Sequence, residues 1–448
     1  MKKRVLLISY HFYPDRAVGA KRTTQLAKAL VSNGWEVDVL TKKLGRDAEQ
    51  DRLGSRKYYG RVFSVYQHPG FLSPLWRLYK RLKGTQGRPN LEAQTQSFEK
   101  VAEKRKNEES LWKNLRRYIL SMQSLFDANK SWIFLAINYL LCFRVIGRKY
   151  DLIISSSPPA SVHMVGLVAK LVFKSRWIID LRDPISQWLS VYPECKTKLR
   201  VSVEDYFEKK YYEKSDLIVV TAPSLKDSIS HSFDMSKEEI SVIFNGYDGN
   251  PIPHQEKSFT ELSGMYAGTL YFNRSPINFL LAVKKLKEDG VASTQNFKFD
   301  FFGDDTWNGY DLREFCIKNG IADLVSFRGY SDSEKLEKET EKYNLFLNLA
   351  QKQKMQIPAK TFDYLKFNGV QFVISEPDSD LHGLVVDEKL GLSVNDNIQE
   401  ITTALTKIVE NGPCNYIPPN DVKSNYSREY QNRLYLNLAE NLVRPNER

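Results

Sequence analysis

Lys360 and Asp363, three residues apart, offer a cation and a carboxylate at the start of a predicted helix. Side chains at this spacing are neighbours on one helix face. Pro358 suits the first turn of the helix, and Asn368-Gly369 is a typical helix end. A cation, helix N–H groups and a carboxylate could together hold a phosphorylated ligand that carries hydroxyl groups. The alternative is an ordinary surface pair on an amphipathic helix.

Strands and helices alternate from the start of the chain. An apolar strand over 3–9 is followed by a loop, a helix over about 20–33 and a second strand over 36–41. This order predicts the opening of a doubly wound parallel sheet. The loop lacks the GxGxxG pattern, so a dinucleotide-binding fingerprint is not supported.

A second alternation of strands and helices begins near residue 264. Its apolar strands are predicted over 264–268, 297–302, 345–349 and 370–374. Parallel sheets of this kind bind ligands at the carboxyl ends of their strands. We therefore expect two Rossmann-like domains that face each other across a cleft, with the active site in the cleft.

Polar side chains follow the predicted strands of the first half. Arg182 and Asp183 come after a strand over 177–180, and Asp183 could accept a proton from an acceptor hydroxyl. Asp183 could equally pair with Arg182 or cap the next helix. His163 lies inside a predicted helix and is interpreted as a packing residue. His11, at the end of the first strand, is the better histidine candidate for contact with the cleft.

The composition is that of a soluble globular protein of two or three domains, with 448 residues, 42% of them hydrophobic and 27% charged. The four cysteines form no CxxC pair, which fits a reducing compartment and gives no zinc signature. The longest apolar-dominated run, 132–143, is too short to span a bilayer. We therefore expect a cytoplasmic protein.

The net charge of +11 is unevenly distributed. Residues 42–149 contain 23 Lys and Arg against 9 Asp and Glu, a net charge of +14 that leaves −3 for the rest. Basic amphipathic stretches over 75–82 and 111–120 suit an anionic membrane surface, or equally a domain face with its basic side in solvent. We expect a basic insertion over about 42–131. No nucleic-acid-binding module is recognised, so nucleic acid is not an expected partner.

Six short motifs, taken in order, resemble those of GT-B glycosyltransferases, specifically the family 4 branch of bacterial capsule and exopolysaccharide synthesis. They lie at Tyr13–Arg22, Ser155–Pro159, Asp180–Pro184, Asn245–Asp248, Ala267–Thr269 and Pro358–Leu365, the last followed by Glu376–Leu381. The resemblance covers nearly the whole chain except 84–109. It implies an acceptor domain over 1–250, a nucleotide-sugar domain over 263–424, and a helix over 425–448 that crosses back to the first domain.

The resemblance also implies an activity. A sugar would pass from a nucleotide-diphosphate sugar to a glycan or a polyprenyl-linked acceptor, with retention of configuration and with no metal or other cofactor. The predicted donor-binding residues are Gly268, Arg274, Lys360 and Asp363. Gly19, Ala20 and Arg22 are expected at the diphosphate and acceptor loop, and Asp183 and Arg182 are the catalytic candidates.

One residue departs from the family pattern. The family usually places a glutamate on the ribose hydroxyls, where this chain has Asp363, whose side chain is one methylene shorter. Two alternatives to a transferase stay open: a GT-B nucleotide-sugar epimerase, and a non-catalytic subunit that binds nucleotide sugars, to which Asp363 points.

Two acidic motifs resemble metal sites. Asp378-Ser-Asp380 has the DxD pattern, but it follows a predicted strand of the second half and is interpreted as a turn with a helix cap, or as a backbone contact to the donor sugar. Gly303-Asp-Asp305 lacks the further ligands that a magnesium site needs. We expect no metal at either place.

Overall fold

The computed structural model describes residues 2–15, 17–67, 130–185, 197–252, 261–271 and 273–444. The basic stretches predicted over 75–82 and 111–120 lie outside the described residues. Contacts divide the chain into two compact units. Unit 1 comprises Met1–Thr221, Lys226–Ile243 and Asn432–Arg448, and unit 2 comprises Ala222–Leu225 and Phe244–Gln431.

Unit 1 contains a parallel sheet of seven strands in the order β3-β2-β1-β4-β5-β6-β7. The strands are β1 (Arg4–Ser9), β2 (Glu36–Lys42), β3 (Arg61–Val65), β4 (Leu152–Ser156), β5 (Arg176–Leu181), β6 (Leu217–Val220) and β7 (Ile240–Val242). The strand order reverses between β1 and β4, which pair side by side from Val5–Leu152 to Ser9–Ser156. The loops after these two strands therefore lie at the switch point of the sheet, where ligands of such folds bind.

The helices of the first half of the chain cover this sheet. They are α1 (Val18–Ser32), α2 (Arg46–Gly54), α3 (Arg56–Tyr59), α4 (Lys130–Val145), α5 (Ser161–Phe173), α6 (Lys198–Lys214) and α7 (Pro223–Phe233), with a 3-10 turn at Lys237–Glu239. Helix α1 buries Leu26, Ala27 and Leu30 against β1 and β2. These three residues recur at the spacing of one helix face, which is why the sequence pattern locates the helix.

Unit 2 contains a second parallel sheet, of six strands in the order β12-β9-β8-β13-β14-β15. The strands are β8 (Leu262–Gly268), β9 (Phe297–Gly303), β12 (Val325–Phe327), β13 (Leu345–Leu349), β14 (Val370–Ile374) and β15 (Gly391–Val394), and a small hairpin joins β10 (Thr306–Trp307) to β11 (Tyr310–Asp311). The order reverses between β8 and β13, which pair in parallel. The loops after β8 and β13 are therefore at the switch point of this sheet.

The remaining helices are α8 (Ile277–Glu288), α9 (Leu312–Lys318), α10 (Ser333–Thr340), α11 (Ala359–Leu365), α12 (Asp380–Asp387), α13 (Ile398–Asn411), α14 (Asn420–Ser424) and α15 (Arg428–Val443), with a 3-10 turn at Pro413–Tyr416. An aromatic cluster fills the core of unit 2, where Phe279 on α8 packs against Phe299 on β9 and Phe372 on β14. Buried aromatic rings contribute a large apolar area and fix the spacing of sheet and helix.

The Asn245–Asp248 motif is held by the start of α15. Arg428 donates from Nε to Asp248 Oδ1 and from Nη2 to the Gly246 carbonyl oxygen, both at 2.6 Å. Gly246 has a φ of +68°, and a Cβ on it would lie 2.8 Å from the backbone of Arg428. A glycine is therefore required at this position.

The second part of α15 belongs to unit 1. Tyr435, Leu436 and Ala439 are buried in the same core cluster as the side chains of β1 and α1. The chain thus returns to its first sheet, as the GT-B resemblance implied. Across the described ranges, which leave out 68–129, no helix has the length and hydropathy that crossing a membrane requires.

Candidate active site

Helix α11 is fixed to the second sheet by two buried amides. Asn348 on β13 donates from Nδ2 to Thr361 Oγ1 at 2.6 Å, and Gln371 on β14 donates from Nε2 to the Thr361 carbonyl oxygen at 2.8 Å. Pro358 precedes the helix and provides no side-chain cap. The first turn, which carries Lys360, is therefore held at the carboxyl edge of the sheet.

The ammonium group of Lys360 lies over an aromatic ring. Its Nζ is 3.8 Å from the centroid of the Tyr266 ring, a cation–π distance. The residue as a whole is partly exposed, but Nζ is buried and has no hydrogen-bond partner among the described residues. Burial, with a contribution from the charge of Arg274, lowers the pKa of Lys360 well below its ordinary value. A buried donor without a partner is costly, and a bound anion would satisfy it.

A second cation lies beside Lys360. Arg274 Nη2 donates to Gln353 Oε1 at 3.3 Å, and the guanidinium lies 4.9 Å from the centroid of the Tyr271 ring. Its Nε is also buried and has no partner in the part of the chain that the structure describes. Gly268 ends β8 with a φ of +122°, and a Cβ there would lie 3.4 Å from Lys360 Nζ. The structure therefore brings Gly268, Arg274 and Lys360 together.

Asp363 lies on α11 one turn after Lys360 and is half-buried. Burial raises the pKa of Tyr364, and the negative charge of Asp363 adds to that effect. The Tyr364 hydroxyl in turn accepts a hydrogen bond from the backbone N–H of Ala267 at 3.1 Å. Asp363 thus shares the helix with Lys360, as the spacing predicted, and its contact with a ribose stays a prediction.

Arg182, in unit 1, lies against the start of α1. Its Nε donates to the Ser157 carbonyl oxygen at 2.7 Å, and its Nη2 is 2.8 Å from the point that a Cβ on Gly19 would occupy. Ala20, the next residue of the helix, is buried, and its backbone N–H donates to the Ala17 carbonyl oxygen at 2.8 Å. The structure therefore places Arg182, a predicted catalytic residue, next to Gly19, a predicted residue of the diphosphate and acceptor loop.

The half-buried Asp183 follows Arg182 directly, just past the end of β5. Its predicted role as acceptor base stays a prediction.

Arg22 is buried and paired. Its Nη2 lies 2.9 Å from Asp180 Oδ1, its Nε also contacts that carboxylate at 3.2 Å, and its Nη1 donates to the Ile243 carbonyl oxygen at 3.1 Å. Ser156 Oγ adds a hydrogen bond of 2.6 Å to Asp180. Arg22 therefore has a structural partner, and its contact with a diphosphate stays a prediction. Asp180 was not among the predicted site residues, although it begins one of the six motifs.

A charged cluster surrounds His11 after β1. His11 Nδ1 lies 2.7 Å from Asp15 Oδ2, and Lys42 Nζ lies 2.8 Å from the same oxygen. Burial lowers the pKa of His11, Asp15 acts in the opposite direction, and the charges of Lys42 and Arg182 lower it further. Asp15 and Lys42 were not among the predicted residues. The i, i+4 spacing of His11 and Asp15 was the available signal, but it falls in a loop.

His163 is a core residue, as interpreted from the sequence. It is fully buried, and its Nδ1 lies 2.9 Å from Ser155 Oγ, which also accepts from Trp177 Nε1 at 2.9 Å. Burial lowers the pKa of His163 to about 3, so the ring is neutral at pH 7.

The DxD motif forms the turn and helix cap that the sequence predicted. Asp378 pairs with Lys354 at the surface, and Ser379 caps α12 by accepting from the His382 backbone N–H. Asp380 accepts from the backbone N–H and the hydroxyl of Ser224. No group of three or more potential metal ligands occurs within the ranges that the structure describes.

The model of the protein family "Glycosyl transferase 4-like domain" matches residues 19–246, just over half of the 448 residues. The chain belongs to this family. The match runs from Gly19 through Arg182 to Gly246, so it includes the loop after β4 at the switch point of the first sheet. No curated protein matches the sequence.

Solved structures of glycosyltransferases share the fold of this family member. A glycosyltransferase from Rickettsia africae ESF-5 is 11% identical, with a TM-score of 0.59 over 99% of this chain and 100% of the other. The lipopolysaccharide outer core galactosyltransferase WaaB is 10% identical, with a TM-score of 0.57 over 98% and 99%. A variant of S. aureus TarM, solved with fondaparinux, α-GlcNAc-glycerol and UDP, is 11% identical, with a TM-score of 0.58 over 99% and 100%.

The predicted fold class is therefore confirmed. The two parallel sheets, of seven and six strands, match the GT-B architecture of glycosyltransferases. Because the family match covers the chain from 19 to 246, the protein is a glycosyltransferase, and the prediction that it is an enzyme of this class is also confirmed.

Replacing Arg22 with methionine is expected to lower the free energy of unfolding by about 3–5 kcal/mol, because the substitution leaves the Asp180 carboxylate buried without its counter-charge. Urea denaturation measures the change. Arg4→Met is the matched control, since Arg4 pairs with Glu36 at the surface and such pairs contribute about 1 kcal/mol or less. Equal losses in the two variants would contradict a special role for the Arg22 pair.

Replacing Lys360 with methionine is expected to raise the midpoint of thermal unfolding at pH 7. The thioether keeps apolar contact with Tyr266 while the cost of burying an unpaired amine disappears. Because the folded-state pKa of Lys360 is lowered, the unfolded chain binds more protons between that pKa and 10.5. Wild type therefore gains stability as pH rises through this window, and the advantage of Lys360→Met shrinks.

The control for this experiment is Lys354→Met, because Lys354 is exposed and pairs with Asp378. Differential scanning calorimetry between pH 7 and pH 10 compares the two variants with wild type. A Lys360→Met protein that unfolds at a lower temperature than wild type at pH 7 would show that the ammonium is already neutralised in the fold.

Proposed function

We propose that this glycosyltransferase moves a sugar from a nucleotide-diphosphate donor to a glycan or a polyprenyl-linked acceptor, in the synthesis of a surface polysaccharide. The observation that carries the proposal is the pair of cations in unit 2, Lys360 and Arg274, whose Nζ and Nε atoms are buried without hydrogen-bond partners among the described residues. Their position at the switch point of a parallel sheet is where a nucleotide ligand is expected.

The chemistry of the leaving group explains the need for this pair. When the bond from the anomeric carbon to the phosphate oxygen breaks, negative charge develops on the departing diphosphate. Lys360 and Arg274 supply positive charge there without a metal ion, so we propose a metal-independent reaction. Asp363, one helical turn from Lys360, would accept hydrogen bonds from the ribose hydroxyls. The complex of the S. aureus TarM variant with UDP supports a nucleotide donor of this kind.

Unit 1 would serve the acceptor. Gly19, Ala20 and Arg182 lie at the start of α1, and Asp183 follows Arg182, so a hydroxyl group of an acceptor would meet both a cation and a carboxylate. Retention of configuration is proposed from family resemblance alone. We also propose that the +14 stretch over 42–149 rests on anionic lipid at the inner face of the cytoplasmic membrane, near a lipid-linked acceptor.

Removing the Lys360 ammonium is expected to weaken nucleotide binding. A thermal-shift screen of UDP- and GDP-sugars first identifies the donor, since a cognate ligand stabilises the fold by mass action. Isothermal titration calorimetry with the matching nucleoside diphosphate should then show an affinity loss of about 10-fold or more in Lys360→Ala, because a charge-assisted contact is removed. Lys354→Ala, at the surface, should bind as wild type does.

Unchanged affinity in Lys360→Ala would overturn the donor site. Incubating the identified nucleotide sugar with the enzyme in the absence of an acceptor distinguishes a transferase from an epimerase. Release of an isomerised sugar would favour the epimerase alternative over transfer.

Adding one methyl group to Gly19 is expected to slow transfer with little loss of stability. The new Cβ meets Arg182 Nη2 at 2.8 Å, and this flexible guanidinium can move away. A displacement of about 1 Å in a positioned group can cost roughly 100-fold in rate, so we expect Gly19→Ala to lose about 10- to 100-fold in kcat/KM. Gly54→Ala is the control, since a Cβ there meets nothing within 4 Å. Equal rates in the two variants would show that the position of Arg182 does not affect transfer.

A further inference from the structure

The proposed function leaves the cluster around His11 without a role. His11 is the second residue after β1 and lies at the switch point of the first sheet. About a quarter of its side chain is exposed, so a ligand can reach it, and the neighbouring Asp15 and Lys42 side chains are more deeply buried. The three side chains therefore form a hydrogen-bonded cluster at the edge of the sheet, where a ligand can reach His11.

The hydrogen bonds of the cluster determine which ring nitrogen carries the proton. The Asp15 carboxylate accepts from Lys42 Nζ and, through Oδ1, from the backbone N–H of Ala17 at 3.2 Å. Hydrogen bonds from these donors, and from His11, lower the pKa of Asp15, although burial acts the other way. Asp15 is therefore ionised and can only accept, so His11 Nδ1 is the donor in their 2.7 Å contact. In the neutral ring, Nε2 is then left as an acceptor.

Burial lowers the pKa of His11 most, and the charges that face the ring act in both directions. Asp15 lies in the same loop, Lys42 ends β2, and Arg182 follows β5. The negative charge of Asp15 is offset by Lys42, and Arg182 adds further positive charge. Arg52 on α2 fixes the loop by donating to the carbonyl oxygens of Phe12 and Tyr13.

The Cδ2 side of the His11 ring lies near the start of α1. His11 Cδ2, the ring atom bonded to Nε2, is 3.5 Å from the point that a Cβ on Gly19 would occupy, and Arg182 Nη2 is 2.8 Å from the same point. His11 Nε2 makes no hydrogen bond to any other described residue. The His11 ring and the Arg182 guanidinium therefore both lie beside Gly19.

We infer that His11 is a substrate-binding residue whose Nε2 accepts a hydrogen bond from a sugar hydroxyl of the acceptor, with Asp15 and Lys42 as its positioning residues. The inference rests on the proposed transfer reaction. A phosphate dianion has no proton to give to Nε2, whereas a hydroxyl group can donate to it while its oxygen faces Arg182. The geometry thus selects a polyol over a second anion at this place.

Two substitutions separate a substrate contact from a structural role. The amide of glutamine can place an oxygen near the position of Nε2, whereas the amide of asparagine can replace only the Nδ1 bond to Asp15. Transfer is measured with the donor identified by the UDP- and GDP-sugar screen and with farnesyl-diphosphate-linked N-acetylglucosamine as acceptor probe. We expect His11→Asn to lose roughly 10- to 100-fold in kcat/KM for the acceptor, and His11→Gln to recover most of that loss.

Nucleoside diphosphate affinity, measured by calorimetry, should stay at the wild-type value in both variants. If His11→Asn is as active as wild type, or if both variants lose the same activity, the inference is overturned while the donor site stands. If wild type transfers no sugar to the probe, the proposed reaction with this class of acceptor fails and the inference fails with it.

A measurement that needs no activity tests the positioning residues. Deuterium exchange at the imidazole carbon between the two ring nitrogens, followed by mass spectrometry, gives the pKa of His11 in the intact protein. Lys42→Met should raise this pKa and Asp15→Asn should lower it, because Lys42 and Asp15 act on the ring with opposite signs. The exposed His231 is read in the same digest as a reference. No change in either variant would overturn the proposed arrangement of charges.

Discussion

The ion pair of Arg22 and Asp180 is the interaction on which the first unit depends. Asp180 is on β5 and Arg22 on α1, and their contacts extend to Ser156 at the end of β4 and to the carbonyl oxygen of Ile243. Four segments that are distant in sequence thus meet at one buried carboxylate. Such a pair is strongly destabilising to break, because the remaining charge stays in the interior. It fixes α1, and hence Gly19, relative to the switch point of the sheet.

The two units use their buried cations in opposite ways. In unit 1, Arg22 is neutralised by a carboxylate and hydrogen-bonded on several sides, which favours rigidity. In unit 2, Lys360 Nζ faces the ring of Tyr266 and has no hydrogen-bond partner in the described ranges. A cation left in this state raises the free energy of the folded protein until an anion arrives. Arg22 thus holds the architecture together, and under the proposed function Lys360 is the basic residue that binds the ligand.

Much of the fold followed from local patterns in the sequence. Apolar runs such as Val370–Ile374 are buried strands, because a short continuous apolar run bounded by turn residues is typical of a parallel sheet. Helix α11 ends at Leu365, earlier than the end that Asn368-Gly369 predicted. The position of Lys360 and Asp363 on one helix was predictable from their spacing of three residues. The charge partners could not be predicted in this way. Arg22 and Asp180 are 158 residues apart, and local spacing does not distinguish a paired arginine from one that binds a ligand.

The clustering of side chains at the switch points also could not be predicted from the sequence. Lys360 meets Tyr266 only because β8 and β13 are adjacent in the sheet, and His11 meets Lys42 only because β1 pairs with β2. Parallel pairing brings the ends of strands together whatever their separation along the chain. The sequence therefore identifies which residues are polar at the ends of strands, and the sheet order determines which of them become neighbours.

The cation pair in unit 2 has a consequence for turnover under the proposed function. Lys360 and Arg274 would stabilise the negative charge that develops on the diphosphate, and that charge stays on the nucleotide after the sugar has left. The product would therefore be held at least as firmly as the donor by the same two groups. Under that proposal we expect release of the nucleoside diphosphate to be slow, and removal of that product from solution to favour continuous synthesis.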